Sequence, residues 1–350
     1  MIGVLAIDFG GPRGPEELQP FLARLLADVL PGPAWVKSSL GAAIARRRAP
    51  KVAPAYRQIG WSPLVPTHLA QMDALRAELG PDGPPIASGM LFTAPEIGDA
   101  VTSLAEQGVD RLIAFTLFPH YSFATASAGF HFLHEALAKS GRSHWPVHRV
   151  PAWPDHPGYL EAVGDRIRDA VSSLDGEGPI HLLFSPHGLP VSWVRRGDPY
   201  PDQVRLTIRR VVDQLGWTGP WHVGWQSRVG PARWLAPSTL DQLTALGQEG
   251  VKRVVVVPVA FASEHIETLH EMDVEMREAA SRVGIVHFGR AAAAGMHPAF
   301  IRCLADLVRT GVARFGKPTC VRCLGPEPSI HRGAKSCSNC GFRLPVWNRT

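Results

Sequence analysis

The chain lacks any apolar run of the roughly 18–20 residues that a membrane span needs, so nothing in it reads as transmembrane. It opens MIGVLAIDFGG, with neither a basic leader nor a small-residue cleavage site, and the expectation is the first strand of a cytoplasmic protein. No GxxxxGK[ST] phosphate loop occurs, so ATP is not implied. Low-complexity segments are missing too. With 45% hydrophobic and 19% charged residues, the composition favours packed cores over disorder. Any excess of one sign of charge is small. A formal net charge of +5 tolerates an anionic small molecule or an acidic membrane surface, and is too weak to argue for nucleic acid. The five cysteines are very unevenly placed. Cys303 stands alone in a helical pattern and reads as a small buried hydrophobe. The others form Cys320-x-x-Cys323 and Cys337-x-x-Cys340, and paired CxxC units in a cytosolic chain mean a metal centre before they mean disulfides.

What is present is a regular alternation, in a chain long enough for about two domains. The pattern predicts strands over 2–9, 85–92, 111–118, 147–150, 180–184, 222–225 and 254–257. Helices are expected over 67–79, 95–107, 127–140, 158–173, 201–215, 235–246 and 296–315. Trp153-Pro154-Asp155-His156-Pro157 interrupts the series and marks a boundary. The fold expected is α/β, with two doubly wound domains facing a cleft, 1–155 and 156–295, a closing helix at 296–316 and a cysteine-rich tail at 317–350. The segment 18–36 (LQPFLARLLADVLPGPAWV) reads as a core helix or as a greasy lip over a pocket or membrane face. Arg46-Arg47-Arg48 with Lys51 is either a solvated basic cluster or a grip for carboxylates or phosphates.

The most informative stretch is 254–277, VVVVPVAFASEHIETLHEMDVEMR. Its apolar β-branched opening suits a strand buried on both faces. From Glu264 the period becomes helical, placing Glu264, Glu267, Glu271, Glu275 and Glu278 on one stripe opposite Leu269, Met272, Met276 and Ala280. Acids four apart destabilise a helix by a few tenths of a kcal/mol per pair, roughly. A solvated acidic face is the plain reading. Against it, His265, Glu267 and His270 crowd one turn, and His with carboxylate is what a divalent metal asks for. A second element, Ser185-Pro186-His187-Gly188-Leu189-Pro190, puts His187 at another carboxyl strand end, where open α/β sheets place ligands. A third, Trp225-Gln226-Ser227-Arg228-Val229-Gly230-Pro231 with Trp234, supplies indole rings for a core or for a flat wall against a planar ligand.

SPHGLP, WQSRVGPARWL and FASEHIETLHEMD, in that order and spacing, resemble the ferrochelatases, lyases that insert ferrous iron into a porphyrin. Asp8-Phe9-Gly10-Gly11-Pro12, the segment from Arg48 to Leu64, Gly89-Met90 and Pro119-His120-Tyr121-Ser122 agree with further motifs of that family. The resemblance, from about residue 2 to about 315, implies Rossmann-like domains with the porphyrin between them. It gives His187 the role of the essential histidine and Glu267 that of the metal-site carboxylate, with Glu271 and Glu275 extending an acidic path for iron or protons. Arg48, Tyr56, Ser62 and Tyr121 match substrate-contacting positions, Trp234 an apolar wall, and His156 and Asp306 positions of catalytic importance. Ferrous iron is then a substrate, and the product is haem with two protons released.

The chain departs from the family in places. The IGGxSP loop is one residue shorter, Ile59-Gly60-Trp61-Ser62-Pro63. Phe9 lies where some coproporphyrin-using relatives carry a Tyr, which favours protoporphyrin IX over coproporphyrin III. Some ferrochelatases carry a [2Fe–2S] cluster, and the tail's CxxC, thirteen residues, then CxxC, is a four-thiolate set for such a cluster or for zinc. The intact HIET and WQSRVGP segments argue against a sirohydrochlorin chelatase, and His187 with Glu267 against a catalytically silent haem or iron sensor. The expected location is cytoplasmic, with peripheral membrane contact open through 18–36.

Overall fold

The structure, a computed structural model, describes residues 1–315 apart from positions 31, 229 and 231. Two four-stranded parallel sheets carry the fold, in the orders β2-β1-β3-β4 and β6-β5-β7-β8. The first comprises β1 (Ile2–Asp8), β2 (Ile86–Met90), β3 (Arg111–Thr116) and β4 (Val147–Val150). The second comprises β5 (His181–Phe184), β6 (Trp221–Val223), β7 (Arg253–Val257) and β8 (His287–Arg290). Residues 4–7, 112–115, 182–184 and 254–256 are fully buried, which is why the central strands read as continuous apolar runs and not as alternations. In both sheets the chain order reverses beside the central strand, opening a crevice at the carboxyl ends of β1 and β3, and another at those of β5 and β7.

Several boundaries differ from expectation. β8 is an eighth strand that the sequence pattern does not reveal, since HFGR has no apolar run. The sixth strand ends at Val223, because Trp225 leaves the ladder to bridge Ser238. The helix expected from 235 begins at Thr239, where Ser238 and Asp241 form a reciprocal capping box. The apolar segment 18–36 is no single helix. Helices Pro15–Val29 and Ala34–Gln58 pack on each other, and Pro50 and Pro54 inside the second hide it from a pattern search. Leu18, Phe21 and Leu22 are buried in the core of the first sheet, whereas Val29, Trp35 and Leu40 stand exposed.

The two halves share one core. Ile113 and Phe115 of the first sheet belong to the same apolar cluster as Phe184 and Val255 of the second, joined through Trp153, Tyr159 and Phe300. The closing helix Pro298–Arg314 lies so close to the first sheet that a Cβ on Gly311 would come 2.9 Å from Ile113 Cγ2. Polar bonds stitch the seam. The Tyr121 amide donates to Gln203 Oε1 at 2.8 Å, and the Ser122 hydroxyl and Phe123 amide reach Asp198 Oδ2 at 2.9 and 2.8 Å. His120 Nε2 lies 2.8 Å from Thr207 Oγ1, and burial pushes that imidazole down to about 3. Gln71 Nε2 donates to Ser263 Oγ at 3.1 Å and to the Gly295 carbonyl at 2.9 Å. No described helix is long and apolar enough to cross a membrane. Cys320, Cys323, Cys337 and Cys340 lie outside the described residues. Cys303 is fully buried in the shared core.

Candidate active site

His187 and Glu267 arrive from opposite sides of the crevice between β5 and β7. The loop after β5 is fixed before it reaches His187. The Ser185 amide donates to the Val257 carbonyl at 2.8 Å, and its hydroxyl to Gln226 Oε1 at 2.8 Å. Gly188 then hydrogen-bonds the Gln226 carbonyl at 2.8 Å, and a Cβ there would sit 2.9 Å from that oxygen and 3.3 Å from the Trp234 ring. Glycine is required by proximity at this point. Leu235 donates to the Leu189 carbonyl at 2.9 Å, so the two motif loops are bound together and Trp234 stands edge-on to His187, ring centroids 6.4 Å apart at 75°.

The acidic element differs from the α-helix expected from Glu264. Residues Glu267–Met276 wind as a π-helix and continue as α-helix over Arg277–Arg282. Its i→i+5 bonding widens the turn, a feature concentrated at functional sites and invisible to a 3.6-residue pattern. Glu267 begins it. Glu267 Oε2 lies 2.9 Å from His187 Nδ1 and 3.5 Å from His265 Nε2. Glu271 Oε2 accepts from Ser227 Oγ at 2.8 Å, on a residue held at φ 63. Glu275 pairs with His270 at 3.4 Å. Glu264 is engaged elsewhere: it meets Arg290, the Thr268 hydroxyl and the Ala293 amide.

These contacts decide the charge states. Burial pushes His187 down, but the charge and hydrogen bond of Glu267 more than reverse this, and its pKa lies above the ordinary value. Burial favours neutral Glu267, yet His187, with help from His265, holds its carboxyl well below the usual carboxylate range. At Glu271 the charge of His187 is only a minor influence. Burial and then repulsion by Glu267 push it up to about 7, despite the Ser227 hydrogen bond. The site thus sets an imidazolium–carboxylate pair beside a carboxyl group that exchanges protons near neutrality. Among the described residues no three His, Cys, Asp or Glu side chains form a ready-made metal cage. His187 and Glu267 are instead satisfied by each other, side chains 34% and 24% exposed.

The other sequence candidates are dispersed. Tyr56, at the end of the Ala34–Gln58 helix, faces the acids from the first half, and burial followed by the Glu267 and Glu271 charges raises its hydroxyl pKa. Ser62 and Tyr121 are buried, Ser62 against the Gly11 turn and Tyr121 in the seam, while Arg48 is exposed. His156 caps the Pro157–Ser172 helix, its Nδ1 accepting from the Gly158 amide at 3.2 Å, and its Nε2 lies 4.0 Å from Asp306. That pair lines a recess with Glu161, Arg302 and Arg309, apart from the His187–Glu267 lining. Sequence reasoning does not single out Tyr200, whose hydroxyl bonds the His187 backbone, nor Arg290 and Asp198. They are partners of the motifs from distant parts of the chain, and no local spacing announces them.

The same two-sheet fold occurs among solved chelatase structures. SirB from Bacillus subtilis with Fe3+ superposes with a TM-score of 0.54 at 12% identity, covering 89% of this chain and 96% of that one. The sirohydrochlorin chelatase SirB from Bacillus subtilis subspecies spizizenii in complex with cobalt gives 0.51 at 11%, with the same coverage of 89% and 96%. Sequence narrows the class. The Ferrochelatase family model matches residues 1–312. The ferrochelatase of Geotalea daltonii is 38% identical over 311 residues, covering 88% of this chain and 97% of that protein. That of Picosynechococcus sp. is 38% identical over 331 residues, covering 91% and 86%. The chain belongs to the ferrochelatase family, and its reaction class is chelation of a metal ion by a porphyrin.

Proposed function

We propose that this chain inserts Fe2+ into protoporphyrin IX, giving haem and two protons, a lyase reaction, with His187 and Glu267 at its centre. The observation that carries the reading is the His187–Glu267 pair across the switch point of the second sheet, 2.9 Å apart and partly open to the cleft. Metallation must strip water from the ion and remove two pyrrole protons. Glu267 offers a hard oxygen ligand, and because it holds Nδ1 of His187, Nε2 is the ring nitrogen assigned to the substrate. A cation arriving at Glu267 cancels the charge that keeps His187 protonated, so metal binding itself lowers His187 into the range of a general base. Glu271, titrating near neutrality, takes protons onward, and Glu275 continues the path to solvent. Trp234 and Tyr56 provide apolar walls from the two halves, Arg48 a cation for the porphyrin's carboxylates, and Ser62 and Tyr121 hold the surrounding loops. His156 and Asp306 form a second polar pair with a supporting role in proton movement.

An anaerobic absorbance assay with protoporphyrin and Fe2+ tests this. Wild type is expected to convert porphyrin bands into haem bands, and His187→Ala and Glu267→Gln to abolish conversion while still folding and binding porphyrin. Conversion by either variant removes that residue from the mechanism. Turnover only with coproporphyrin III identifies that substrate instead, and binding of both without turnover identifies a haem or iron sensor.

Three further assignments belong to the same reading. The chain divides at 155/156, and the helix Pro298–Arg314 that follows the second half closes the fold by returning to the first sheet. Cys320, Cys323, Cys337 and Cys340 hold a [2Fe–2S] cluster, or zinc as the alternative, since four thiolates at this spacing suit either. The family match ends at residue 312, ahead of them. A visible chromophore lost in Cys337→Ser supports the cluster, colourless protein with bound zinc supports the alternative, and neither metal rejects both. The location is cytoplasmic, and exposed Val29, Trp35 and Leu40 favour peripheral contact with a membrane face. Failure to sediment with anionic vesicles rejects that contact.

A further inference from the structure

Arg290 lies at the end of β8, one strand beyond the crevice, and touches neither His187 nor Glu267. Its side chain is 10% exposed and bridges two acids that flank the reactive ones. Nη1 meets Glu264 Oε1 and Oε2 at 2.9 and 3.1 Å and also donates to the Ala291 carbonyl at 3.1 Å. Nε lies 2.9 Å from Asp273 Oδ1. Glu264 is secured again by the Ala293 amide at 2.8 Å and by the Thr268 hydroxyl, and that hydroxyl accepts from the His265 amide at 3.0 Å. Asp273 has a weaker second cation in Arg277, at 3.9 Å.

The anchors sit before and within the π-helix, and Glu267 and Glu271 lie between them. One guanidinium therefore fixes both ends of the segment that carries the reactive carboxylates. It also sorts the acids: Glu264 and Asp273 are neutralised by Arg290, leaving Glu267 and Glu271 turned to His187 and Ser227. Holding two separated carboxylates at once needs a rigid planar fork, which Arg has and Lys lacks.

We propose that Arg290 is a positioning residue for metal capture, setting the placement of Glu267 and Glu271 without contacting substrate. The inference rests on the proposed roles of those two residues, so the test separates metal binding from turnover. Arg290→Gln, Arg290→Lys and Asp273→Asn are compared in the full chain for Co2+ affinity by calorimetry without porphyrin, for porphyrin affinity by fluorescence quenching, and for KM and kcat with Fe2+. Arg290→Gln is expected to weaken Co2+ binding and raise the KM for Fe2+ by about tenfold or more, the loss typical of groups that orient ligands. Porphyrin affinity should stay within about twofold of wild type, since Arg290 lies outside the proposed porphyrin walls and roughly 0.4 kcal/mol separates such values. Arg290→Lys recovers part of the loss, and Asp273→Asn shows a smaller defect of the same kind. Unchanged Co2+ affinity in Arg290→Gln, or porphyrin and Co2+ affinities falling together, overturns the proposal. A wild type that binds Co2+ but makes no haem overturns the functional reading alone, and the Co2+ comparison still decides Arg290.

Discussion

Glu267 governs the protonation of His187, and this has a pH signature. The folded His187 has a raised pKa, so its contribution to stability is complete below its ordinary 6.5 and is lost as pH rises through the folded value. The folded Glu267 is depressed, so its contribution is complete above its ordinary 4.5 and is lost as pH falls. The melting difference between wild type and Glu267→Gln is therefore expected to be largest between pH 4.5 and 6.5 and to shrink above that window. A difference that grows with alkaline pH would refute the pairing. In the same variant, the imidazole resonance of His187 should titrate at lower pH than in wild type, because burial is then opposed only by the weaker influence of Glu271. Gly188 offers a test of packing. Its alanine variant drives a methyl group against the Gln226 carbonyl and should cost about 1–3 kcal/mol, seen as a lowered denaturation midpoint with urea.

Among the elements, the helix that begins at Thr239 is the simplest case. Ser238→Ala removes half of its capping box and should cost about 1 kcal/mol, with activity retained, as a thermal melt and the haem assay together would show. The acidic helix shows what a local pattern conveys and what it omits. The spacing of Glu267, Glu271 and Glu275 places them on one stripe in advance, but the π wind depends on i→i+5 bonds that no side-chain period encodes. The helix Ala34–Gln58 is hidden for the opposite reason. Two internal prolines argue locally against helix, and packing on Pro15–Val29 overrides them. His187 is legible because a motif on a loop after a strand is a local object. Arg290 is not, since its meaning lies in Glu264 and Asp273, brought to it by the pairing of β7 with β8.

At the scale of the molecule, the repeated strand–helix order was enough to foresee two parallel sheets, because each buried strand is a continuous apolar run. What that order does not convey is that the sheets share a core, since the closing helix could pack on either one. A shared core predicts one cooperative transition: near- and far-ultraviolet dichroism should report the same melting midpoint, and two separated midpoints would count against it. The seam built by His120, Tyr121, Ser122 and Phe123 on Thr207, Gln203 and Asp198 carries a consequence for inheritance. A crossover near residue 155 between this gene and a diverged relative would leave both sheets whole, yet would set one parent's Tyr121 loop against the other's Asp198 and Gln203. The two halves are thus constrained to descend as a block, and chimaeras joined there should fold only when that loop and its receiving residues are exchanged together.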